Sequence, residues 1–430
     1  MLPILTQSLW RDEAFSALIA EKNIFEIIRL SAQDTSPPFF YILLHYWMIL
    51  FGNSEVAIRA ISLLFHLLTV VVIFFIAKKI IRSLPGQVFI ALATLLNPFL
   101  LQYAFEARTY SLPTFLSVTA LYLIILKKNI MAGIVLALAI FAHNFAIFTF
   151  FVFAIWLFIN RGKLQFSSFL KLVSFPLLTI LLWGWVIWMQ WSKFAHGFWI
   201  SKPTISTLFR SFELFSSGEI SYPIKPMLYL LSIILFIGAS LTWIRKYKSK
   251  DNHTVLLIFS LIFIPPLMTF FFSLFFTPIY YEKYLILTTP MLILFVGYSL
   301  ARLLQINSVI RFILGGFIAI YVALLVIACI QVVSKSTKPA INSGVREILS
   351  RAQKDDIIVP ESTLNFLETK YYVRRSGKNN IPVYAYSQDG KIPFYIGGVL
   401  YEPRDIIKEM PKNRRVWLIK SDGQYELLKV

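Results

Sequence analysis

Charge is scarce in this chain of 430 residues: Asp, Glu, Lys and Arg together make up 15%, against 57% hydrophobic residues. Stretches 87–105, 111–126 and 226–244 contain no charged residue at all. A soluble domain cannot bury so much apolar surface, because its surface grows too fast relative to its core. Cysteine is nearly absent, and the single Cys329 excludes an internal disulfide. No His or Cys cluster has zinc-ligand spacing, so neither a metal site nor a divalent-cation cofactor has support. A phosphate-cradling glycine loop is also missing, as are internal repeats and low-complexity tracts.

What remains is a set of membrane-length apolar segments. Each needs roughly 17–25 residues to cross a hydrocarbon core of about 30 Å. The pattern predicts about ten spans, at 55–77, 87–105, 111–126, 130–143, 145–160, 169–191, 226–244, 254–276, 284–301 and 312–333. The net charge of +19 falls mostly between them. One set of loops holds Lys78, Lys79, Arg82, Lys127, Lys128, Arg161, Lys163, Arg245, Lys246, Lys248, Lys250, Arg302 and Arg311, with Asp251 as its one acid. The positive-inside rule makes these loops cytoplasmic and the alternate loops extracytoplasmic. The expected place is therefore a cell (plasma or inner) membrane, with nucleic acid excluded as partner despite the basic balance. This count puts both ends of the chain outside, which predicts a further transmembrane helix upstream of Met1 or a miscount at 130–143 and 145–160.

The chain reads as three parts. Residues 1–54 form a first extracytoplasmic loop, in which an amphipathic segment at 12–30 should lie on the membrane surface. Asp34 then precedes Pro37-Pro38 as the expected cap of a short apolar helix at 39–51. Residues 55–335 form the helical bundle. Residues 336–430 alternate helix-like and strand-like runs, predicting a small extracytoplasmic α/β domain with helices at 345–353 and 403–410 and strands at 356–360, 382–386 and 415–420.

Ionisable groups are almost missing from span interiors, where a transporter or proton relay would need them. They gather at the outer ends: Asp12, Glu13, Asp34, Arg59, Glu106, Arg108, His143, Glu282 and Lys283. A carboxylate at such a position can take the proton from an attacking hydroxyl. Acids at a helix start are equally what the helix dipole favours, by about 0.3–1 kcal/mol. Arg108 can clamp a phosphate with two parallel hydrogen bonds, and Lys283 supplies a second cation. Arg59 is either a third or the partner of Glu55 one turn earlier. His143-Asn144 interrupts one apolar stretch, and the tyrosines around Lys283 read as an interfacial belt. Because nucleotide sugars are cytoplasmic, a sugar used on the outer face would be carried by a lipid phosphate. Cations would then stabilise the departing phosphate.

The motifs also have a familiar order. Trp10-Arg11-Asp12-Glu13-Ala14, Asp34 with Pro37-Pro38 and Tyr41, Gly52 with Glu55 and Arg59, Glu106-Ala107-Arg108-Thr109-Tyr110, and Ala142-His143 follow one another. This order resembles bacterial members of the dolichyl-phosphate-mannose–protein mannosyltransferase family, relatives of the lipid A aminoarabinose transferases. The resemblance covers roughly the first 300 residues. It implies the GT-C fold and sugar transfer, with inversion, from a polyprenyl-phosphate to an extracytoplasmic glycan, lipid or protein acceptor. It implies Asp12 as catalytic carboxylate with Glu13 and Asp34 beside it. Arg108, Lys283 and Arg59 would bind the donor phosphate, and Glu106, Tyr110 and His143 would line the pocket. Lys283-Tyr284 stands where the family has Arg-Tyr, which removes the bidentate fork there. The family also carries a helix before its Asp-Glu motif, the same segment the topology count asks for. The competing reading is a multi-pass transporter or lipid flippase, which would require midplane polar groups or broken repeats.

Overall fold

The computed structural model describes residues 2–159, 166–194, 199–245, 252–304, 308–378, 380–411 and 413–428. Of the expected cytoplasmic charges, Arg161, Lys163, Lys246, Lys248, Lys250 and Asp251 lie outside the described residues. The chain opens with helices α1 (Pro3–Thr6), α2 (Arg11–Ala20), α3 (Ile24–Gln33) and α4 (Phe39–Phe51). A helical series follows: α5 (Glu55–Ile80), α6 (Leu84–Leu96), α7 (Pro98–Ala104), α8 (Ser111–Ile125), α9 (Asn129–Ala142), α10 (Ala146–Ile159), α11 (Phe166–Phe194), α12 (Ile205–Ser217), α13 (Ile224–Arg245), α14 (Asn252–Phe275), α15 (Thr289–Leu303) and α16 (Ser308–Ser334). After it come α17 (Ile341–Arg351), β1 (Ile357–Pro360), α18 (Phe366–Arg375), β2 (Ala385–Tyr386), β3 (Ile406–Ile407), β4 (Val416–Ile419) and β5 (Tyr425–Leu428).

Two compact units divide the chain: one comprises Met1–Ile61, Glu106–Arg108 and Ser334–Val430, the other Ser62–Phe105 and Thr109–Val333. The protein is a multi-pass α-helical membrane protein. Among the described residues six helical segments are long and apolar enough to cross a membrane, and the bent pair α6–α7 makes a seventh. All ten predicted spans are helical, but α8, α9 and α10 have only 15, 14 and 14 residues, shorter than a comfortable crossing. The predicted straight span 87–105 is corrected to two helices meeting at 52°. Pro98 has no N–H to bond the carbonyl of Thr94, and Asn97 ends α6 and caps α7, accepting the Leu100 amide at 3.0 Å.

The helical unit packs by close backbone approach. A side chain at Gly133 of α9 would meet the Leu172 carbonyl of α11 at 2.5 Å, so only glycine allows this approach. Gly218, at φ +62°, packs as tightly against Pro98 and Phe99. Asn97 also donates to the Phe215 carbonyl at 2.9 Å, tying the α6–α7 bend to α12.

The other unit holds a three-stranded sheet in the order β1-β4-β5, with β1 parallel and β5 antiparallel to β4. β2 and β3 form a separate parallel pair. Ile357, Val359 and Val416 form an apolar core on the larger sheet. Two expectations are corrected here. Residues 403–410 are a single 3₁₀ turn running into β3, because the turn at Pro403–Asp405 closes on itself through Asp405 and Glu402. The segment expected on the membrane surface is α2 and α3, and α2 is a core helix whose residues from Glu13 to Ala20 are all buried. It packs against α4 and α18. Its small and polar residues, Ala14, Ser16, Ala17 and Ala20, suit close packing rather than a lipid surface.

Candidate active site

Within the unit carrying the sheet, the peptide preceding α2 is fixed by one fully buried ion pair. Arg59 Nε donates to Glu13 Oε1 at 2.8 Å and Nη2 to Oε2 at 2.7 Å, and neither side chain has any exposure. The remaining guanidinium N–H groups donate to the carbonyls of Ile4, Leu5, Gln7 and Ser8, at 2.8–3.2 Å. Glu13 accepts the Ala107 amide as well, at 3.0 Å. Hence Glu13 and Arg59 are saturated by the protein. These bonds join Glu13 and Arg59, expected in catalysis and in phosphate binding, to each other and to the backbone that precedes α2. Glu55, the other expected partner of Arg59, pairs instead with Arg375 at 2.5 Å.

That anchor puts the next carboxylate, Asp12, at the start of α2 with a side chain 19% exposed. Its Oδ1 lies 3.2 Å from Arg11 Nε and its Oδ2 3.7 Å from Arg108 Nη2. Arg108 Nη1 donates to the Asp12 carbonyl at 3.3 Å and reaches Ser16 Oγ at 3.5 Å. Two further carboxyls share this field. Burial pushes Asp34 above its ordinary value, countered in part by the Thr35 amide and Arg108 and reinforced by Asp12. Burial likewise pushes Glu368 of α18 up to about 8, against the Asn365 side chain and Arg11. Of the three, Asp12 lies between both guanidinia. Asp34 does not cap α4: it terminates α3, its amide bonding the Leu30 carbonyl at 2.9 Å, and Pro38 stands at the start of α4.

Glu106 belongs to this same unit. It accepts from Lys338 Nζ at 3.0 Å, and that ammonium also lies 4.4 Å from the centre of the Trp10 ring. Gln7 Oε1 accepts the amides of Thr337 and Lys338, Tyr372 accepts the Leu9 amide at 2.7 Å, and the Tyr371 hydroxyl donates to the Asn53 carbonyl. Arg11, Lys338 and Glu368 are residues that sequence reasoning did not single out. Arg11 had a signal, its place inside the Trp10–Ala14 motif. Lys338 and Glu368 had none, being more than 300 residues from Asp12.

In the helical unit, Lys283, Tyr110 and His143 come together. Lys283 Nζ lies 5.0, 5.5 and 5.9 Å from the ring centres of Tyr281, Tyr110 and Tyr284. His143 stands 5.3 Å from Tyr284 and 6.0 Å from Tyr110. His143 also accepts the Phe145 amide on Nδ1 at 3.2 Å, which closes the break between α9 and α10. Of the tyrosines expected as an interfacial belt, Tyr281 and Tyr284 flank this cation. Tyr280 is 2% exposed, and its hydroxyl bonds Ser211 at 2.7 Å. Among the described residues no group of three or more His, Cys, Asp or Glu could hold a metal ion.

No family model matches the sequence, and no curated protein does so significantly. Solved structures do match. ArnT from Cupriavidus metallidurans in the apo state superposes with TM-score 0.62 at 13% identity, over 97% of this chain and 90% of that one. The same protein bound to undecaprenyl phosphate gives TM-score 0.63 at 12% identity, with the same coverage. The Archaeoglobus fulgidus oligosaccharyltransferase in complex with Zn and sulfate gives 0.52 at 12% identity, over 85% of this chain and 58% of that one. At these identities the likeness establishes the fold, which is the GT-C fold expected from the motifs.

Proposed function

We propose that the protein is a membrane glycosyltransferase that moves a sugar from a polyprenyl-phosphate donor to an extracytoplasmic acceptor hydroxyl with inversion. The observation that carries this reading is Asp12, a partly exposed carboxylate held between Arg11 and Arg108 on a helix whose register is fixed by a buried ion pair. The GT-C fold supports it, and so does the undecaprenyl phosphate bound to a protein of that fold.

In this mechanism the acceptor oxygen attacks the anomeric carbon as the bond from that carbon to the phosphate oxygen breaks. The acceptor proton passes to the Asp12 carboxylate, and the electron pair of the broken bond leaves on the lipid phosphate. Cations lower the barrier by stabilising this departing charge. Lys283 is assigned that task, since its ammonium is a compact donor held among aromatic rings. Arg108 is assigned to keep the Asp12 carboxylate ionised and oriented. Asp34 is assigned to the surroundings of that carboxylate rather than to proton transfer, because burial favours its neutral form. The reading places the protein in the inner or plasma membrane, with 1–54 and 336–430 on the extracytoplasmic side and 55–335 as the bundle. Protease digestion of intact cells should cut within 336–430 and leave the bundle intact.

The test is transfer by the purified chain from a panel of polyprenyl-phosphate sugars, with the anomeric configuration of the product determined. Asp12→Asn should lower turnover by about 10²–10⁴-fold. Product formed with retained configuration, or normal turnover by Asp12→Asn, would reject Asp12 as base.

A further inference from the structure

The helical unit contains a polar cavity whose lining residues have no part in the steps proposed above. It holds about 600 Å³, within the roughly 300–1,000 Å³ of small-molecule clefts, and lies between the 199–213 segment and Tyr280–Glu282. Two aromatic walls meet in it. Trp199 is 47% exposed, and its ring stands edge-on to Tyr281 at 4.9 Å and 83°. The lining also carries Lys202, Arg210, Glu213 and Glu282, and Glu213 is paired with Lys225 at 3.2 Å. Arg210 and Glu282 stand 3.6 Å apart, beyond hydrogen-bond reach, and the Arg210 side chain is 65% exposed. This pair is therefore open to a ligand's hydroxyls: the guanidinium as donor, the carboxylate as acceptor.

We infer that this cavity is a saccharide-binding site for an uncharged pyranose. The axial C–H face of a pyranose is apolar and packs on an aromatic ring, while its rim of hydroxyls both donates and accepts. A corner of two rings beside a loose Arg–Glu pair presents both surfaces at once. Two carboxylates in the lining, Glu213 and Glu282, repel a phosphate or uronic acid but can accept from neutral hydroxyls. The site also has a direct physical link to Lys283. Tyr281 lines the cavity and places its ring 5.0 Å from Lys283 Nζ, so a sugar seated on Tyr281 stands one ring away from the cation assigned to the donor phosphate. On this ground the site is assigned to the acceptor, making the acceptor a glycan or glycolipid. That assignment rests on the glycosyltransferase reading, whereas saccharide binding at the cavity does not.

Saturation-transfer NMR on the full-length chain in detergent, with methyl glucoside, methyl mannoside and N-acetylglucosamine as probes and glucose 6-phosphate as the anionic comparison, tests the site without any donor. At least one neutral probe should bind, and Trp199→Ala should weaken it by roughly tenfold or more. Glu282→Gln, which keeps the side chain's shape, should weaken it by a smaller factor at unchanged melting temperature. Asp12→Asn should bind as wild type does. No binding by any neutral probe, equal binding by both cavity variants, or tighter binding of glucose 6-phosphate would overturn the inference. Loss of transfer from every polyprenyl-phosphate sugar, with this binding intact, would instead strike the proposed reaction and leave the saccharide site standing.

Discussion

The two units of this protein are held together by different physics. The helical unit relies on shape: apolar helices approach closely where Gly133 and Gly218 remove a side chain, and aromatic rings pack around Lys283. The unit carrying Asp12 relies on direction, with a buried Glu13–Arg59 pair and a series of side chains bonding backbone from the first and last hundred residues. In an apolar bundle there is little polar surface to pair, so steric fit selects the arrangement. Around a carboxylate that must hold one orientation, hydrogen bonds of fixed geometry select it instead.

The largest effects should separate function from architecture inside the Asp12 unit. Asp12→Asn should abolish most transfer while shifting the apparent melting temperature little, because a partly exposed pair contributes only about 0–1 kcal/mol. Arg59→Ala should destabilise the protein by about 3–5 kcal/mol, since it strands a buried carboxylate. Thermal unfolding in detergent measures both. If Arg59→Ala melts like wild type, the anchor does not hold this unit and the contrast between units fails.

Gly133→Ala probes the other unit. The added carbon would meet backbone at 2.5 Å, which helices can relieve only by separating, at a cost of about 1–3 kcal/mol. Here the loss should be insensitive to pH, unlike that at Arg59, which strands a titratable carboxylate. A pH-dependent loss at Gly133 would blur the distinction.

A pH-dependent effect concerns Glu368. Its carboxyl is raised from its ordinary value of about 4.5 to about 8 in the folded protein, chiefly by burial. Between those values the unfolded chain gives up the proton that the folded one keeps, so this group's contribution to stability falls as pH rises from about 4.5 to about 8 and then levels off. Glu368→Gln mimics the neutral form and should flatten that part of the stability profile, measured as melting temperature against pH. An unchanged slope would show that Glu368 is already ionised in the folded state.

The motif residues illustrate why only part of the site was legible in sequence. Asp12, Arg108 and Lys283 stood out because charge is rare near apolar runs, and rarity needs no structure to detect. Glu13 and Arg59 stood out for the same reason, but rarity does not distinguish a group that meets a ligand from one sealed against another side chain. Lys338, Glu368 and Arg375 lie in a segment where charge is common, and nothing local marks them. Residues 403–410 were misread because helix-like spacing over eight residues carries too little information to outweigh a parallel strand partner in β2.

Hydropathy by itself determined that this chain crosses a membrane many times, because apolar length is a local property that the bilayer reads directly, whereas the GT-C fold was implied only by the resemblance of its motifs to a known family. Pro98 alone did not reveal the bend at Asn97–Pro98, since Pro176, Pro265 and Pro266 lie inside α11 and α14. Only the tertiary structure decided which acids are buried and which remain open to a substrate. That choice depends on partners distant in the chain, on carbonyls of the first loop and on helices of the last hundred residues, and no window of sequence contains both sides of such a contact.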